Sequence, residues 1–309
     1  MKEVLVAYYS QSGQLFDILQ NVVSTMEGGE VNITYHKITP LKPFPFPWTK
    51  EKFFDAFPES FLQIPCELKP VPEAVLKKKY DLVLLGHQVW YLSPSIPINS
   101  FLKSDAAKKL LKDTPVITVI GARNMWIQAQ EKLKRLLVGC QAILVGNIAL
   151  VDRHVNHISV ITIVHWMFGG EKTKKFGIFP KPGVSARDIQ EASRFGIPIK
   201  EALLSNDFSN LQNELLQLDA VKIKPFLSLA DKRANMMFSK WANFIVKKGG
   251  SGDPNRKKWL VLFNYYLLIA IWILAPIVFI VFLLTYPLMK RKINREKKYF
   301  SSVSTTKVA

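Results

Sequence analysis

Cysteine is scarce in this sequence, which has only Cys66 and Cys140 among 309 residues. Two cysteines argue against a disulfide framework of the kind that stabilises small secreted domains. We expect no signal peptide before Lys2. We therefore expect the N-terminal domain to be cytosolic, where thiols stay reduced. A chain of this length can hold one good core with additions.

Acidic residues are few towards the C-terminus, although the whole chain carries a net charge of +18. Residues 239–309 contain 13 Lys or Arg and only two acids, Asp253 and Glu296, so this stretch alone gives +11. The basic residues bracket a run of 31 uncharged residues, 259–289. An uncharged apolar run of this length is typical of a membrane segment. The distribution therefore indicates membrane lipid as a partner and argues against nucleic acid.

The 31-residue uncharged run could be arranged in the membrane in two ways. As one straight helix, it would be about 46 Å long, whereas the hydrocarbon layer is about 30 Å thick. Pro276 lies near its middle and both flanks are basic, so a kinked hairpin that returns to the same side is also open. Each half of such a hairpin would be too short to cross. We predict a single C-terminal span.

The sequence also lacks, at its first strand, the three-glycine dinucleotide fingerprint and the Gly-Lys-Ser/Thr P-loop. Instead, an apolar strand is followed by Ser10-Gln11-Ser12-Gly13-Gln14-Leu15, after which a helical pattern begins. Small hydroxyl residues and free amides at the positive end of a helix dipole fit a phosphate monoester. The loop resembles that of the flavodoxin family, which holds the phosphate of FMN. Leu15 departs from the Ser or Thr found there in many flavodoxins.

Two later strands, predicted over residues 80–86 and 115–121, also end in loops that contain large aromatic residues. In flavodoxin-like proteins, these loops flank the isoalloxazine ring. The resemblance therefore implies FMN as cofactor. It adds to the first-loop residues a second set of cofactor contacts: Gln88, Val89, Trp90, Gly121, Ala122, Asn124 and Trp126.

Strands and helices alternate with short links, which predicts an α/β fold. We expect a flavodoxin-like, doubly wound, parallel five-stranded sheet of order 2-1-3-4-5, with a helical extension and a C-terminal transmembrane segment. The five strands are predicted at residues 4–9, 31–37, 80–86, 115–121 and 141–150. The main helices are predicted at residues 14–26, 96–102, 126–137 and 185–204. Residues 1–205 would form the FMN-binding domain, followed by an amphipathic helical linker (206–258), the membrane segment (259–289) and a basic tail (290–309).

Two insertions interrupt the predicted domain. Residues 39–72 are rich in proline and aromatic residues and form either a packed surface loop or an apolar lid. Residues 151–183 contain an apolar stretch, 158–168, which is too short to span a bilayer. This stretch is either a core cover or an interfacial anchor. His154, His157 and His165 lie nearby, but we predict no metal site.

The layout also resembles the dialkylresorcinol condensing enzyme/aromatase family. The resemblance is carried by Tyr-Ser-Gln-Ser-Gly-Gln at 9–14, Gly-Ala-Arg-Asn-Met-Trp at 121–126 and the long tail. It implies an aromatase that partners a ketosynthase and oxidises an alkylated cyclohexanedione to a dialkylresorcinol, a building block of flexirubin-type pigments. The protein would then act on a lipophilic small molecule at the cytoplasmic face of the inner membrane.

Such a reaction needs a base and a group that stabilises an enolate, besides a hydride acceptor. Arg123 is the candidate for the enolate, and His87 and Tyr91 are the candidate bases. A membrane-tethered NAD(P)H:quinone reductase shares the fold, the cofactor and the preference for lipophilic substrates, and it is the alternative. The electron acceptor that reoxidises the flavin, the substrate chain lengths and a homodimeric state are left open by the sequence.

Overall fold

A computed structural model of the chain describes residues 1–305. Its central feature is a parallel sheet with the strand order β2-β1-β3-β5-β6. The strands are β1 Lys2–Tyr8, β2 Val31–Lys37, β3 Leu82–Trp90, β4 Ser93–Pro94, β5 Pro115–Ala122 and β6 Ile143–Val151. The short β4 pairs antiparallel with β3. Counting the five parallel strands alone gives the order 2-1-3-4-5, so the predicted flavodoxin-like α/β fold is confirmed.

The sheet is parallel because each strand returns through a helical crossover. The helices are α1 Gln14–Ser24, α2 Lys50–Asp55, α3 Phe57–Leu62, α4 Glu73–Leu76, α5 Ile96–Leu102, α6 Asp105–Leu111, α7 Ile127–Gly139, α8 Asn156–Gly169, α9 Ala186–Gln190, α10 Gly196–Ser205, α11 Leu211–Gln217, α12 Pro225–Val246, α13 Lys257–Ile269 and α14 Ala275–Ser301. Three short 3-10 turns lie at Lys175–Gly177, Glu191–Phe195 and Pro254–Arg256.

Apolar side chains fill both faces of the sheet. One core layer joins the sheet to α1, α10 and α11, and includes Ile18, Phe195 and Leu215. The other joins it to α5, α6 and α7 and includes Phe101 and Leu133. Because both faces are covered, the central strands are continuous apolar runs, as a parallel sheet requires.

Two elements differ most from their predicted bounds. The loop predicted after residue 86 continues β3 as far as Trp90, and the chain then turns back into β4 through Tyr91 and Leu92, both at positive φ. The closing helix predicted over residues 185–204 is divided into α9, a 3-10 turn and α10. At this break, Gly196 abuts α1 so closely that a Cβ would lie 2.2 Å from the Val22 carbonyl oxygen. Ser185 caps α9, since its hydroxyl accepts a hydrogen bond from the Asp188 amide.

Both insertions contain helices and meet at the carboxyl edge of the sheet. The segment 39–72 carries α2 and α3, and we call it the aromatic lid. Residues 156–169 of the second insertion form α8, whose Met167 carbonyl accepts the Trp48 amide at 2.8 Å. Phe53 of the lid lies edge-on to Phe168 at 5.6 Å. The aromatic lid and α8 thus cover the edge where the sheet loops emerge.

Residues Pro254–Ser301 form one 48-residue helical element, which we call the C-terminal helix. Among the residues described, it is the one helix long and apolar enough to be a candidate membrane span. A π-helical turn, Ala270–Leu274, precedes Pro276, and the helix continues beyond it rather than folding back as a hairpin. The predicted basic tail begins as part of this helix. Its last four residues, 306–309, lie outside the described residues.

Candidate functional site at the carboxyl edge of the sheet

The first loop forms an open cradle at the N-terminus of α1. Gly13 is the residue before the helix and has φ +87°, a conformation that L side chains rarely adopt. Apart from its neighbours in the chain, no heavy atom lies within 4 Å of the position where its Cβ would stand. The first amides of a helix have no acceptor inside it, so those of Gln14 and Leu15 are available to a ligand. The cradle therefore offers donors and a positive dipole end to an anion.

Ser10 supplies the second feature of the cradle. Its side chain is 8% exposed, and its hydroxyl has no hydrogen-bond partner. A buried hydroxyl without a partner carries a desolvation cost that a ligand oxygen can remove. Ser12 is partly buried in the same loop. This donor set fits a phosphate monoester.

The other residues of the first loop hold it in place. The Gln11 amide donates to the Gln88 side chain at 3.2 Å, which connects the first and second loops. The Gln11 side chain donates to the Pro45 carbonyl and accepts from the Trp48 indole. Gln14 exchanges two hydrogen bonds with the Val184 backbone, and Leu15 is buried in the core. The side chains of Gln11 and Gln14 are therefore hydrogen-bonded to protein groups, whereas the Ser10 hydroxyl is not.

The second loop contributes to an aromatic cluster under the lid. The Trp90 ring packs edge-on against Tyr9, Phe44 and Trp48, with centroid distances of 5.8, 5.0 and 5.3 Å. Val89 is partly buried beside the first core layer. This cluster gives the site an apolar wall beside the phosphate cradle, as a planar, partly apolar ligand requires.

The third loop is fixed to α8 through one amide. Arg123 Nη1 and Asn124 Nδ2 both donate to Asn156 Oδ1, at 2.8 and 2.9 Å. Burial lowers the pKa of Arg123 to about 10, with Asp152 acting in the opposite direction, so the guanidinium stays charged at neutral pH. Asn124 is buried and its Oδ1 has no partner. The loop thus offers one cation and one unpaired acceptor.

The other residues predicted to contact the cofactor from the third loop lie in the sheet or in the core. Gly121 and Ala122 are the last two residues of β5. Trp126 is 3% exposed and packs in the first core layer, just before α7. The ring of Trp126 packs among core side chains, and its predicted contact with FMN stays a prediction.

His87 lies inside the sheet rather than in a loop. It belongs to β3, its side chain is fully buried, and Nε2 lies 3.3 Å from Gln130 Oε1. Gln130 in turn donates to Thr118, which donates to Asn147. Burial lowers the pKa of His87 to about 4. β3 extends four residues further than predicted, which places this candidate base inside the sheet. There it belongs to a buried polar network.

Because the imidazole of His87 is buried, we expect the stability of the protein to fall as the pH becomes acidic. Since the folded pKa of about 4 lies below the ordinary 6.5, the unfolded chain binds the proton first as the pH falls. The stability that His87 contributes is complete above pH 6.5 and is lost towards pH 4, by about 3 kcal/mol. We expect urea titrations of His87→Gln to lack this slope. An unchanged slope would assign the acid sensitivity to another group, such as the buried His36.

Tyr91, the other candidate base, is enclosed by the lid. Its hydroxyl donates to the Phe53 carbonyl at 2.6 Å, and its ring lies 5.1 Å from that of Phe57. Burial raises the pKa of Tyr91 well above its ordinary value. Both effects keep the proton on the phenol. The structure therefore gives Tyr91 a packing role and does not support its assignment as a base.

Several residues of this region were not predicted from sequence. Asn156 joins the third loop to α8, and Lys172 donates to the Val184 carbonyl that also holds Gln14.

Lys132 is 7% exposed beneath the lid, where its ammonium donates to Ser93 and the Phe61 carbonyl. Burial lowers the pKa of Lys132 to about 7, which makes it an acid–base candidate. Lys132 lies in an ordinary helical pattern, so the sequence did not indicate a functional role for it.

The three histidines of the second insertion point in different directions. His154 faces Asp152, His157 faces the Ile271 carbonyl and His165 faces Thr173. Within residues 1–305, no group of three His, Cys, Asp or Glu side chains could hold a metal ion.

Comparisons with known proteins give remote structural likenesses. No family model matches the chain, and no curated protein matches it. A flavoprotein from Lactobacillus acidophilus, solved in complex with FMN, is 18% identical over 48% of this chain and 92% of its own, with a TM-score of 0.38. Flavodoxin 1 from Bacillus cereus is 12% identical over 63% of this chain and 95% of its own, with a TM-score of 0.35. The strand order and parallel register, rather than these scores, define the fold as flavodoxin-like.

Proposed function

We propose that this chain is an FMN-dependent oxidoreductase that works at a membrane on a lipophilic substrate. The observation that carries the proposal is the unpartnered, buried Ser10 hydroxyl beside the open N-terminus of α1. The FMN phosphate fits this donor set, and the adjoining aromatic wall suits a flavin ring. When bound, FMN supplies a two-electron acceptor.

The residues of the chain divide the binding task between three loops. Ser10, Ser12 and the amides at the start of α1 would hold the phosphate. Trp90 would lie beside the ring, and the unpaired Asn124 Oδ1 would accept a hydrogen bond from it. Gln11 and Gln14 would position the first loop, since their side chains are already bound to Pro45, Trp48 and Val184.

Ser10→Ala separates the cofactor role of this residue from a structural one. The variant removes a hydroxyl that has no protein partner, so we expect the free energy of unfolding without FMN to stay level or rise by about 1 kcal/mol. FMN affinity should fall about 10- to 100-fold, since a hydrogen bond to a charged group contributes about 1.5–3 kcal/mol. Urea unfolding and FMN fluorescence titration measure the two quantities. Reduced stability with unchanged affinity would make Ser10 a structural residue.

For the reaction, we propose aromatisation of an alkylated cyclohexanedione to a dialkylresorcinol. The substrate would lose two hydrogens, as two electrons and two protons, and the cofactor would be reduced in equal amount. Support comes from the charged Arg123 at the third loop, which suits an enolate oxygen, and from the apolar lid. A lid of aromatic residues also excludes water from the reacting ring. We further propose a ketosynthase as the supplier of the dione, and the cytoplasmic face of the inner membrane as the location.

An anaerobic single turnover tests this reaction. FMN-loaded protein mixed with a 2,5-dialkylcyclohexane-1,3-dione should lose its yellow colour, and the product should be lighter by two hydrogens, in a one-to-one ratio. Protein that stays yellow with the dione, but is bleached by NADPH and then recoloured by a quinone, would establish the quinone reductase alternative instead. FMN binding itself would survive that outcome.

A further inference from the structure

The C-terminal helix lies lengthwise against the rest of the protein. Its buried side chains recur at helical spacing from one end to the other: Leu260, Phe263, Phe282, Ile293 and Phe300. Partly buried residues fill the intervals on the same stripe, at Leu267, Ile271, Ala275, Val278, Thr285, Met289 and Glu296. A stripe of this period indicates that one face of the helix packs against the protein.

Both ends of the helix are attached to the same domain. At the start, the Phe263 ring stacks on Phe57 of the lid, with centroids 3.8 Å apart, and the buried Arg256 pairs with Asp55 and Glu59. At the end, the Tyr299 hydroxyl donates to Glu131 of α7 at 2.8 Å, and Phe300 is buried in the core.

The middle of the helix is attached as well. His157 of α8 lies 3.0 Å from the Ile271 carbonyl, beside the π-helical turn that precedes Pro276. Phe226 of α12 packs against Phe279 and Phe282. The apolar segment therefore contacts the protein near its middle, at Ile271, Phe279 and Phe282, as well as at its two ends.

The opposite face is apolar and exposed. Leu262, Ile273 and Leu284, each eleven residues from the next, lie on one side of the helix with 47%, 56% and 75% of their surfaces accessible. Exposed basic residues flank this face at both ends: Lys240, Lys247, Lys248, Lys257 and Lys258 at one, and Lys290, Arg291, Lys292, Lys297 and Lys298 at the other. An apolar face with cationic ends matches an anionic lipid leaflet.

A perpendicular orientation conflicts with these contacts. Phe263 and Phe300 are separated by about 56 Å of helix, which exceeds the roughly 30 Å of hydrocarbon. If the helix crossed the bilayer, the domain attached to both of its ends would have to cross with it. Charged groups such as the Lys232–Glu296 ion pair, 2.6 Å apart, would then have to enter the hydrocarbon layer, where buried charges are strongly unfavourable.

We infer that the C-terminal helix lies in the plane of one leaflet of an anionic membrane, as a monotopic anchor. Its exposed apolar face contacts the acyl chains, and its two basic ends lie in the same headgroup layer. The inference does not depend on which ligand the sheet edge binds. It also accounts for the basic residues at both flanks, which give no preference for either side of a membrane-spanning helix.

Depth measurements along the exposed face test the inference. In a full-length Cys66→Ser, Cys140→Ala background, Leu262→Cys, Ile273→Cys and Leu284→Cys would each carry an environment-sensitive fluorophore. The variants would be bound to phosphatidylcholine–phosphatidylglycerol vesicles that contain lipids with a spin label at a shallow or a deep carbon. We expect the shallow label to quench more than the deep one at all three positions. A span would instead place Ile273 deep and the other two shallow, which would overturn the inference.

Two further readouts make the test complete. Lys257→Cys and Lys297→Cys should both react with a membrane-impermeant maleimide added outside sealed vesicles, whereas a span would protect one of them. Raising the salt concentration should weaken binding, because the basic ends contribute electrostatically. No quenching at any position, together with a stable dimer in solution, would assign the apolar face to a second copy of the chain and overturn the inference. Circular dichroism of each variant checks that the fold is retained.

Discussion

Gly13→Val is expected to weaken FMN binding about 100- to 10,000-fold and to yield colourless protein. Gly13 has φ +87° and borders open space at the start of α1. Valine cannot adopt this conformation without strain, and its side chain would occupy the volume that the phosphate needs. The loss of two charge-assisted hydrogen bonds, at about 1.5–3 kcal/mol each, gives the expected range. Flavin absorbance of the purified protein and an FMN titration measure the effect.

Gly28→Val is the matched control for backbone strain. Gly28 also has positive φ, at +98°, and open space around its Cβ position, but it lies in the turn before β2 at the other edge of the sheet. Both variants should lose comparable stability, while Gly28→Val keeps its flavin. If Gly13→Val were yellow and fully loaded, the phosphate would lie elsewhere. If both variants were colourless, general destabilisation would explain the loss.

Arg123→Ala is expected to retain FMN and to lose turnover about 100- to 1,000-fold, which is the range for removing one oxyanion donor. The guanidinium is held at the third loop by Asn156, and burial still leaves it charged at neutral pH. Stabilising an enolate matters most in the transition state, so the loss should appear in kcat rather than in KM. Steady-state oxidation of a cyclohexanedione measures both constants.

Two further variants make the Arg123 experiment specific. Arg123→Lys keeps the charge and should retain part of the turnover, although lysine lacks the planar donor pair. Arg187→Ala removes an arginine whose side chain is 83% exposed on α9 and should leave turnover unchanged. Turnover that persists in Arg123→Ala would remove the proposed role, and loss of FMN from that variant would make Arg123 a binding residue.

Periodicity and loop chemistry made much of the fold predictable. β2 and α5 have the predicted bounds, and the order of the parallel strands follows from strand–helix alternation. The Ser10–Gly13 loop was predictable because a phosphate cradle needs small residues at one point in the chain. The composition of residues 39–72 left open a packed surface loop or an apolar lid, and the segment lies over the carboxyl edge of the sheet.

The features that the sequence did not indicate depend on contacts between distant residues. His87 was expected in a loop, but β3 continues because Trp90 pairs back onto Ser93 of β4. Asn156 and Lys132 act through partners 33 and 39 residues away, which no local pattern encodes. The C-terminal helix was predicted as a membrane segment from length and charge, and it is long and apolar enough to be a candidate span. Its packing stripe is visible only when Phe57, Phe226 and Glu131 are seen beside it.

The monotopic orientation would also bring the membrane next to the lid. Phe57 of α3 contacts both Tyr91 and Phe263, so one aromatic cluster reaches from the second loop to the C-terminal helix. A lipophilic substrate partitions into lipid by about 0.8 kcal/mol per CH₂. The cluster would offer such a substrate a continuous apolar path from the leaflet to the site.

The most direct test of the FMN proposal is a comparison of FMN with riboflavin, which has the same ring system but no phosphate. The apo-protein is titrated with each ligand, and quenching of flavin fluorescence reports binding. The cradle at Ser10 and Gly13 predicts one FMN per chain and riboflavin binding at least about 100-fold weaker, in keeping with the loss of two or more hydrogen bonds to a charged group. Equal affinity for the two ligands, or no binding of FMN, would contradict the account.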